Sequence, residues 1–507
     1  MSAAGLIATL FTVPAAAAPD SESATLDQQL TASLRQKGFT GNVQATLTER
    51  LGRPLDPRLA DLGRMLFFDT FGGLHNDNAC AGCHAPSAGM GDTQSIAIGV
   101  QSNGVVGERR LGPRNQRRTP TVVNAAFFPS LMWNGRFSAP SGDPFDNSQG
   151  FKFPLPEGRS AFPPRDGTVK HLLIAQAHIP PTELSEAAGF TGTRGTLGLR
   201  FDAFDDGVGT AVPAPDASGF RNEPIRQEVL KRLNENSAYV GLFGSSFPMV
   251  RSGVPIDFKM FAQAIAEFEF SLVRANAPID RFARGERNAL SGSEKRGALL
   301  FFGKANCVAC HAVSGASNEM FSDFQNRNIG VPQIAAPFGV GRGNVVFDGP
   351  GENEDFGAEQ NTGNPADRYK FRTSPLRNVA LQPAFFHNGA FTRLDDAIRH
   401  HLDVFGSARS YNPVRAGVAK DLAGPPGPTE PVLAGIDPLL APQRLSDDEF
   451  DDLLRFVGNG LLDPLARPQA LCDTVPSVLP SGNRSLVFEG CDRQPRPRGN
   501  LASGHRD

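Results

Sequence analysis

The sequence predicts a mainly α fold in which one module is used twice in tandem, its short helices joined by long ordered loops. Three observations carry this reading: a repeated segment, a repeated cysteine motif and a surplus of glycine and proline. Residues 118–137 (RTPTVVNAAFFPSLMWNGRF) align without gaps to residues 372–391 (RTSPLRNVALQPAFFHNGAF), with eight of twenty positions identical. Upstream, Gly63-Arg64-Met65-Leu66-Phe67-Phe68 matches Gly297-Ala298-Leu299-Leu300-Phe301-Phe302, and each run precedes a cysteine pair. Repetition in the same order is the mark of a duplicated unit. Gly and Pro together make about 19 % of the 507 residues, against an average of about 12 %, which favours short helices and much loop.

The elements follow in order. Gly5 to Val13 is apolar and runs into Ala15-Ala16-Ala17-Ala18. This reads as a secretory signal peptide over residues 1–18, so export to the periplasm is expected. Residues 19–50 read as a polar lead-in, 51–288 as the first module, 289–470 as the second and 471–507 as a Pro-rich C-terminal tail. Residues 137–170, 202–222 and 321–365 are rich in loop-forming residues. Phe261, Ile265, Phe268 and Leu272 recur at helical spacing, which predicts a buried helix over 257–275 with Asp257 as its cap. A second helix is expected from Ser293, acting as cap, to Leu300. A third is expected from Leu394 to about Asp403, after a Thr392 cap.

Composition excludes several classes. Fifty basic residues oppose 53 acidic ones, for a net charge of −3. That balance argues against nucleic-acid binding and against a polybasic membrane anchor. A hydrophobic content of 40 % is too high for a disordered chain. Beyond the leader, no apolar run approaches the ~18 residues a membrane span requires.

The six cysteines fall in three pairs. Cys80-Ala81-Gly82-Cys83-His84 and Cys307-Val308-Ala309-Cys310-His311 both fit C-x-x-C-H. That spacing allows two thioether bonds to a haem edge while the next residue reaches the iron. A four-cysteine zinc site would use similar pairs but needs no histidine after each. A dithiol redox motif would need only one pair. Two covalently bound haem c groups are therefore expected, with His84 and His311 as proximal ligands.

The sixth ligand decides what each iron does. Of nine histidines, His400 and His401 lie on the predicted helix that follows the second repeat. No Met occurs after Met320, so this pair supplies the sixth ligand of the second haem, with His401 preferred. No His lies between His84 and Trp133, and Met90 is too near His84 to reach the opposite face, so the first iron is expected to be open. Cys472 and Cys491 are expected to form a disulfide in an exported chain, worth ~3 kcal/mol.

Over residues 51–470 the chain resembles the bacterial di-haem cytochrome c peroxidase family, including its MauG-like branch, whose members oxidise proteins. The resemblance rests on LGRMLFF…CAGCH, RTPTVVNAAF…MWNGR, QAHIPPTELSEAAG, GALLFFGKANCVACH and FRTSPLRNVALQPAFFHNGAF. It implies two cytochrome c-like haem domains in tandem. It also implies reduction of hydrogen peroxide to water at the first haem, with electrons relayed from the second. The family's acid/base motif matches Gln176 and Glu186 with Pro180 between, and Glu183 competes with Glu186. Trp133 matches the Trp placed between the haems. The (Y/F)FH segment puts the second sixth ligand at His401 and His387 beside a haem carboxylate. The loop Ile98-Gly99-Val100-Gln101 lacks the histidine of members that need reductive activation. The family also implies a calcium ion between the domains. Arg118 stands where its Asn ligand is expected, leaving Asn115 and the carbonyls of Gln382 and Ala384 as substitutes.

The expected partners are hydrogen peroxide and a small periplasmic electron donor, a cytochrome c or a cupredoxin. The alternatives are a MauG-like oxidase acting on a protein substrate and a non-catalytic di-haem electron carrier. A homodimer is compatible with the resemblance. With 38 Phe against 3 Tyr and 1 Trp, the core is hard to oxidise, which singles out Trp133 as electron relay.

Overall fold

The computed structural model describes residues 21–153, 161–336, 347–348, 351 and 353–491. The expected leader over 1–18 lies outside them. Eight helices of nine or more residues occur among the described residues: α1 (Ser21–Gln36), α2 (Pro57–Phe68), α3 (Asn222–Glu235), α4 (Ser237–Ser246), α5 (Phe258–Phe270), α6 (Gly292–Phe302), α7 (Leu394–Leu402) and α8 (Asp447–Arg455). The strands are pairs of residues. Ser130–Leu131, Phe137–Ser138, Phe151–Lys152 and Ala161–Phe162 form an antiparallel meander in the loop-rich stretch after the first repeat. Asn326–Arg327 pairs with Phe371–Arg372.

Each half is organised by one close helix crossing. In the first, α2 crosses α5. The Asp56 carboxylate caps α2 by accepting the Arg58 and Leu59 N–H groups at 2.9 and 3.1 Å. Asp257 caps α5 as expected, accepting the Met260 N–H at 2.8 Å. A methyl group on Gly63 would lie 1.8 Å from the Ala264 carbonyl oxygen, and one on Gly297 would lie 2.0 Å from that of Asp452. Only glycine permits such backbone approach. In the second half α6 crosses α8 in the same way, so the repeated Gly-x-x-x-Phe-Phe run encodes one crossing made twice. Phe67, Phe68 and Phe268 fill the first core; Phe301, Phe302 and Phe456 fill the second.

The second repeat behaves likewise. Asn124 and Asn378 both adopt positive φ, 65° and 61°, and their side-chain amides donate to the same Arg274 carbonyl at 2.9 and 3.0 Å. The Asn124 amide oxygen accepts the Arg274 N–H at 2.6 Å, and that of Asn378 accepts the Asp463 N–H at 2.8 Å.

Several local expectations are corrected. Residues 19–50 are no mere lead-in: α1 buries Leu30 and Leu34 in the second core, and Asp27 pairs with Lys295 at 2.7 Å. The tail also belongs to the fold. Val487–Phe488 runs parallel to Val105–Val106, Leu471, Leu479, Leu486 and Phe488 join the first core, and Cys472 is bonded to Cys491. Neither segment shows as core in the sequence, because a few scattered apolar residues suffice once a finished surface exists to receive them. Along this stretch the first core's members run to Ala275 and the second core's resume at Ala277, while Met320 and Phe324 return to the first core. The cap of α6 is Ser291, which accepts the Glu294 N–H at 3.3 Å; Ser293 instead donates to Asp452. Thr392 does not cap α7, since its hydroxyl donates to the Ala416 carbonyl at 2.5 Å. Helix α5 stops at Phe270 rather than 275.

Gly63→Ala and Gly297→Ala should each lower unfolding free energy by roughly 1–3 kcal/mol, the usual range for overpacking. Gly241→Ala in α4, where nothing lies within 4 Å, should be neutral or stabilising. Denaturant melts of the three variants read the difference.

Candidate functional site

Cys80 to Cys83 form one helical turn, and His84 follows at its C-terminal end. The His84 Nδ1–H donates to the Met90 carbonyl at 3.3 Å. In the second half the His311 Nδ1–H donates to the Phe321 carbonyl at 2.9 Å. Met90 and Phe321 both sit at positive φ, 56° and 58°, so the same strained turn presents the same carbonyl twice. A metal-ligating histidine is typically held this way, through the nitrogen that does not bind the metal. Burial pulls both imidazoles down to about 4, keeping them neutral and available as ligands.

None of the four motif cysteines is paired in a disulfide. Burial pushes Cys80 up to about 12 and Cys83 up to about 11. A redox dithiol needs a low-pKa thiolate, so that alternative loses its basis. Among the described residues, no group of three or more His, Cys, Asp or Glu side chains converges to hold a metal, which removes the four-cysteine zinc site.

The sixth-ligand candidates separate cleanly. His400 engages both ring nitrogens, Nδ1 with the Ser407 hydroxyl at 2.9 Å and Nε2 with the Ile329 carbonyl at 2.8 Å. His401 uses Nδ1 on the Ala397 carbonyl at 2.8 Å. Its ring centroid lies 6.2 Å from that of His311. Two imidazoles on opposite sides of one metal ion, each with a bond of about 2 Å, require a separation of this size. The second half therefore fits a haem held by His311 and His401.

The first half holds a cavity of about 490 Å³. Its wall contains Cys80, Cys83, His84, Trp133, Gln176, Pro180 and Glu186, so every first-half site residue read from the sequence meets there. No second histidine lines it, and Met132 is its one thioether. Glu186 is half-buried on a wide turn, Leu184–Ala188. Its carbonyl accepts the Asn78 side-chain amide at 2.7 Å. Gly99 lies so close that a methyl group there would be 2.9 Å from the Glu186 Cα. The loop expected to lack a switch histidine is thus the one packed on the Glu186 turn. Burial pushes the Glu186 carboxyl up to about 7; neighbouring Glu183 adds to this and Arg136 opposes it. Glu183 instead pairs with Arg136 at 3.4 Å.

Trp133 is buried, and its indole N–H donates to the Arg118 carbonyl at 2.8 Å. Its own carbonyl accepts the Arg372 N–H at 2.6 Å. The indole therefore sits on the bonded seam between the two repeats. His387, its counterpart in the alignment, is buried against Phe371, ring centroids 3.5 Å apart, with no partner on either nitrogen.

Sequence reasoning missed three residues in this wall: Arg136, Arg372 and Glu269. Glu269 is buried on α5, has a partnerless Oε2 and is pushed by burial up to about 8. An acidic residue inside the apolar run Phe258–Phe270 was the available signal.

Residues 57–288 match the family model for di-haem cytochrome c peroxidases. Over that stretch the chain is similar to this family, and with its peroxidase relatives the match marks it as an oxidoreductase of the cytochrome c peroxidase type. It is 27 % identical over 349 residues to the methylamine utilization protein MauG of Methylorubrum extorquens, covering 69 % of this chain and 70 % of that one. It is 26 % identical over 355 residues to the cytochrome c551 peroxidase of Pseudomonas aeruginosa, covering 69 % and 74 %. Its fold is like that of a MauG-like protein associated with microbial copper homeostasis, with a TM-score of 0.52, 21 % identity, and 82 % and 91 % of the two chains covered. No helix among the described residues is long and apolar enough to cross a membrane.

Removing Glu183 with Glu183→Gln should lower the Glu186 titration from about 7, and Arg136→Gln should raise it. The carboxyl stretch in pH-titrated infrared spectra reads both shifts.

Proposed function

We propose that this chain is an exported, periplasmic di-haem peroxidase, with one haem on Cys80, Cys83 and His84 and another on Cys307, Cys310, His311 and His401. The observation that carries this reading is the single cavity joining the His84 ligand to a carboxyl poised near neutrality. A haem held there by Cys80, Cys83 and His84 would supply the redox chemistry for cleaving a peroxide O–O bond. Each turnover takes one hydrogen peroxide, two electrons and two protons to two waters.

The chain's own groups govern the protons. Glu186, as carboxylate, accepts the proton of the peroxide oxygen nearer His84's side of the cavity and returns it to the far oxygen. The departing group then leaves as water, not hydroxide. A pKa of about 7 suits both halves of that transfer, because acceptor and donor forms are both well populated near neutral pH. Glu183 is the poorer candidate, since Arg136 already engages its side chain at 3.4 Å. Gln176 donates an amide N–H that orients the peroxide, and Pro180 stiffens the turn that carries the acid/base group. Trp133 bridges the two repeats and offers electrons a π path from the His311/His401 half to the cavity. Those electrons come from a small cytochrome c or cupredoxin.

The similarity to MauG supports a second reading, in which a partner protein's side chain supplies the electrons. Rapid oxidation of an added cytochrome or cupredoxin by peroxide favours the first reading. Oxidation of a protein substrate in the presence of that donor favours the second.

Three outcomes test the assignments. Glu186→Gln should cut peroxide turnover by about 10²–10⁴-fold, the usual scale for general acid/base groups. In the native enzyme, kcat/KM should fall as pH drops below about 7, because the accepting carboxylate becomes protonated. His401→Met should raise the potential of the second haem, since Met ligation does so, while His400→Gln leaves its coordination intact. A resting paramagnetic resonance spectrum with no high-spin ferric signal would overturn the open first iron, whether Met132 or another group filled it.

A further inference from the structure

Among the described residues, two buried cationic side chains in the cavity wall make no ion pair, the Asp92 carboxylate beside Arg118 being taken by the Gln94 and Thr119 N–H groups, and the repeat places them at the same position in each copy. Arg118 and Arg372 open the two aligned segments. They are 3 % and 4 % exposed, and both line the cavity. Arg118 gives Nη2 to the Asp92 backbone carbonyl at 3.1 Å, and its Nε has no partner. Arg372 gives Nε to the Met132 carbonyl at 2.9 Å and Nη1 to the Thr373 carbonyl at 3.4 Å. Its guanidinium lies over the Phe128 and Phe324 rings at 5.9 and 5.5 Å. Asp92 is the one acidic group acting on Arg118, none acts on Arg372, and burial pulls both guanidiniums down to about 10.

Burying a cation without a counter-charge is strongly unfavourable. Their backbones are strapped across the seam: the Arg118 N–H donates to the His387 carbonyl at 2.8 Å, and the Arg372 N–H to the Trp133 carbonyl at 2.6 Å. The two guanidiniums therefore reach one cavity from opposite copies of the repeat. An anion seated there would complete both.

The calcium ion expected from the resemblance does not fit beside them. A guanidinium offers no acceptor to a cation and repels it. Of the ligands expected for it, Asn115 lines the cavity but Gln382 and Ala384 do not.

We propose that Arg118 and Arg372 form a built-in cationic clamp for the carboxylates of the cofactor in the first cavity, occupying the role of an interdomain calcium ion. One arm comes from each half, so the second half contributes a residue to the first half's cofactor site. This rests on the two-haem reading above. It makes the joint between the halves independent of divalent metal.

The test uses the holoprotein after a haemochrome assay has established two haems per chain; fewer haems would defeat the two-haem reading rather than the clamp. Elemental analysis after dialysis against EGTA should find no stoichiometric calcium, and EGTA should leave both haem potentials unchanged. Potentiometric titration of Arg118→Gln and Arg372→Gln should shift the first haem's reduction equilibrium at least tenfold toward the oxidised form, 59 mV for one electron. Arg118→Lys and Arg372→Lys, which keep the charge, should stay within threefold of wild type. Stoichiometric calcium in the wild-type protein, or Gln and Lys variants that behave alike, would overturn the clamp. Should the Gln variants fail to take up haem, wild-type calcium content and the Lys potentials decide alone.

Discussion

The Arg118 and Arg372 main chains exchange hydrogen bonds with the opposite repeat, to His387 and Trp133, and much else in the molecule depends on that exchange. It sets the two copies of the segment against each other in one register. It also fixes the plane of Trp133, because the indole N–H is held by the Arg118 carbonyl in the same seam. A backbone strap of this kind is insensitive to side-chain drift, so the side chains above it are free to diverge. They have done so: the position that holds Trp in the first copy holds His in the second.

Divergence on a common frame explains how one module serves two purposes. The glycine crossing and the carbonyl that orients the motif histidine are alike in both halves. What differs is the opposite side. The second half places an imidazole 6.2 Å from His311; the first opens a cavity with a buried acid. Near Glu186, burial raises the acid's affinity for its proton, and neighbouring Glu183, paired with Arg136, adds to that rise.

Legibility in the sequence followed the range of the interaction. The C-x-x-C-H motifs and the α5 face were readable because spacing along the chain encodes them, whereas the Gln176–Glu186 loop was legible only through the family resemblance. The sequence prefers His401 over His400 and the family resemblance agrees; the structure supplies a physical reason, since Ser407 and Ile329 occupy both nitrogens of His400. The caps of α6 and α7 were misplaced by one or two residues because Ser291, Ser293 and Thr392 are all competent hydroxyls, and only long-range partners decide which is free to cap.

The sequence by itself determined the duplication and the two C-x-x-C-H motifs, because each is a near-neighbour pattern; the Gln176–Glu186 loop stood out only through resemblance to a family. Only the tertiary structure decided that burial raises the Glu186 carboxyl, that Arg118 and Arg372 share one cavity, and that α1 and the segment from Leu471 to Phe488 are built into opposite cores. Those outcomes depend on desolvation and on contacts hundreds of residues apart, which no local spacing records.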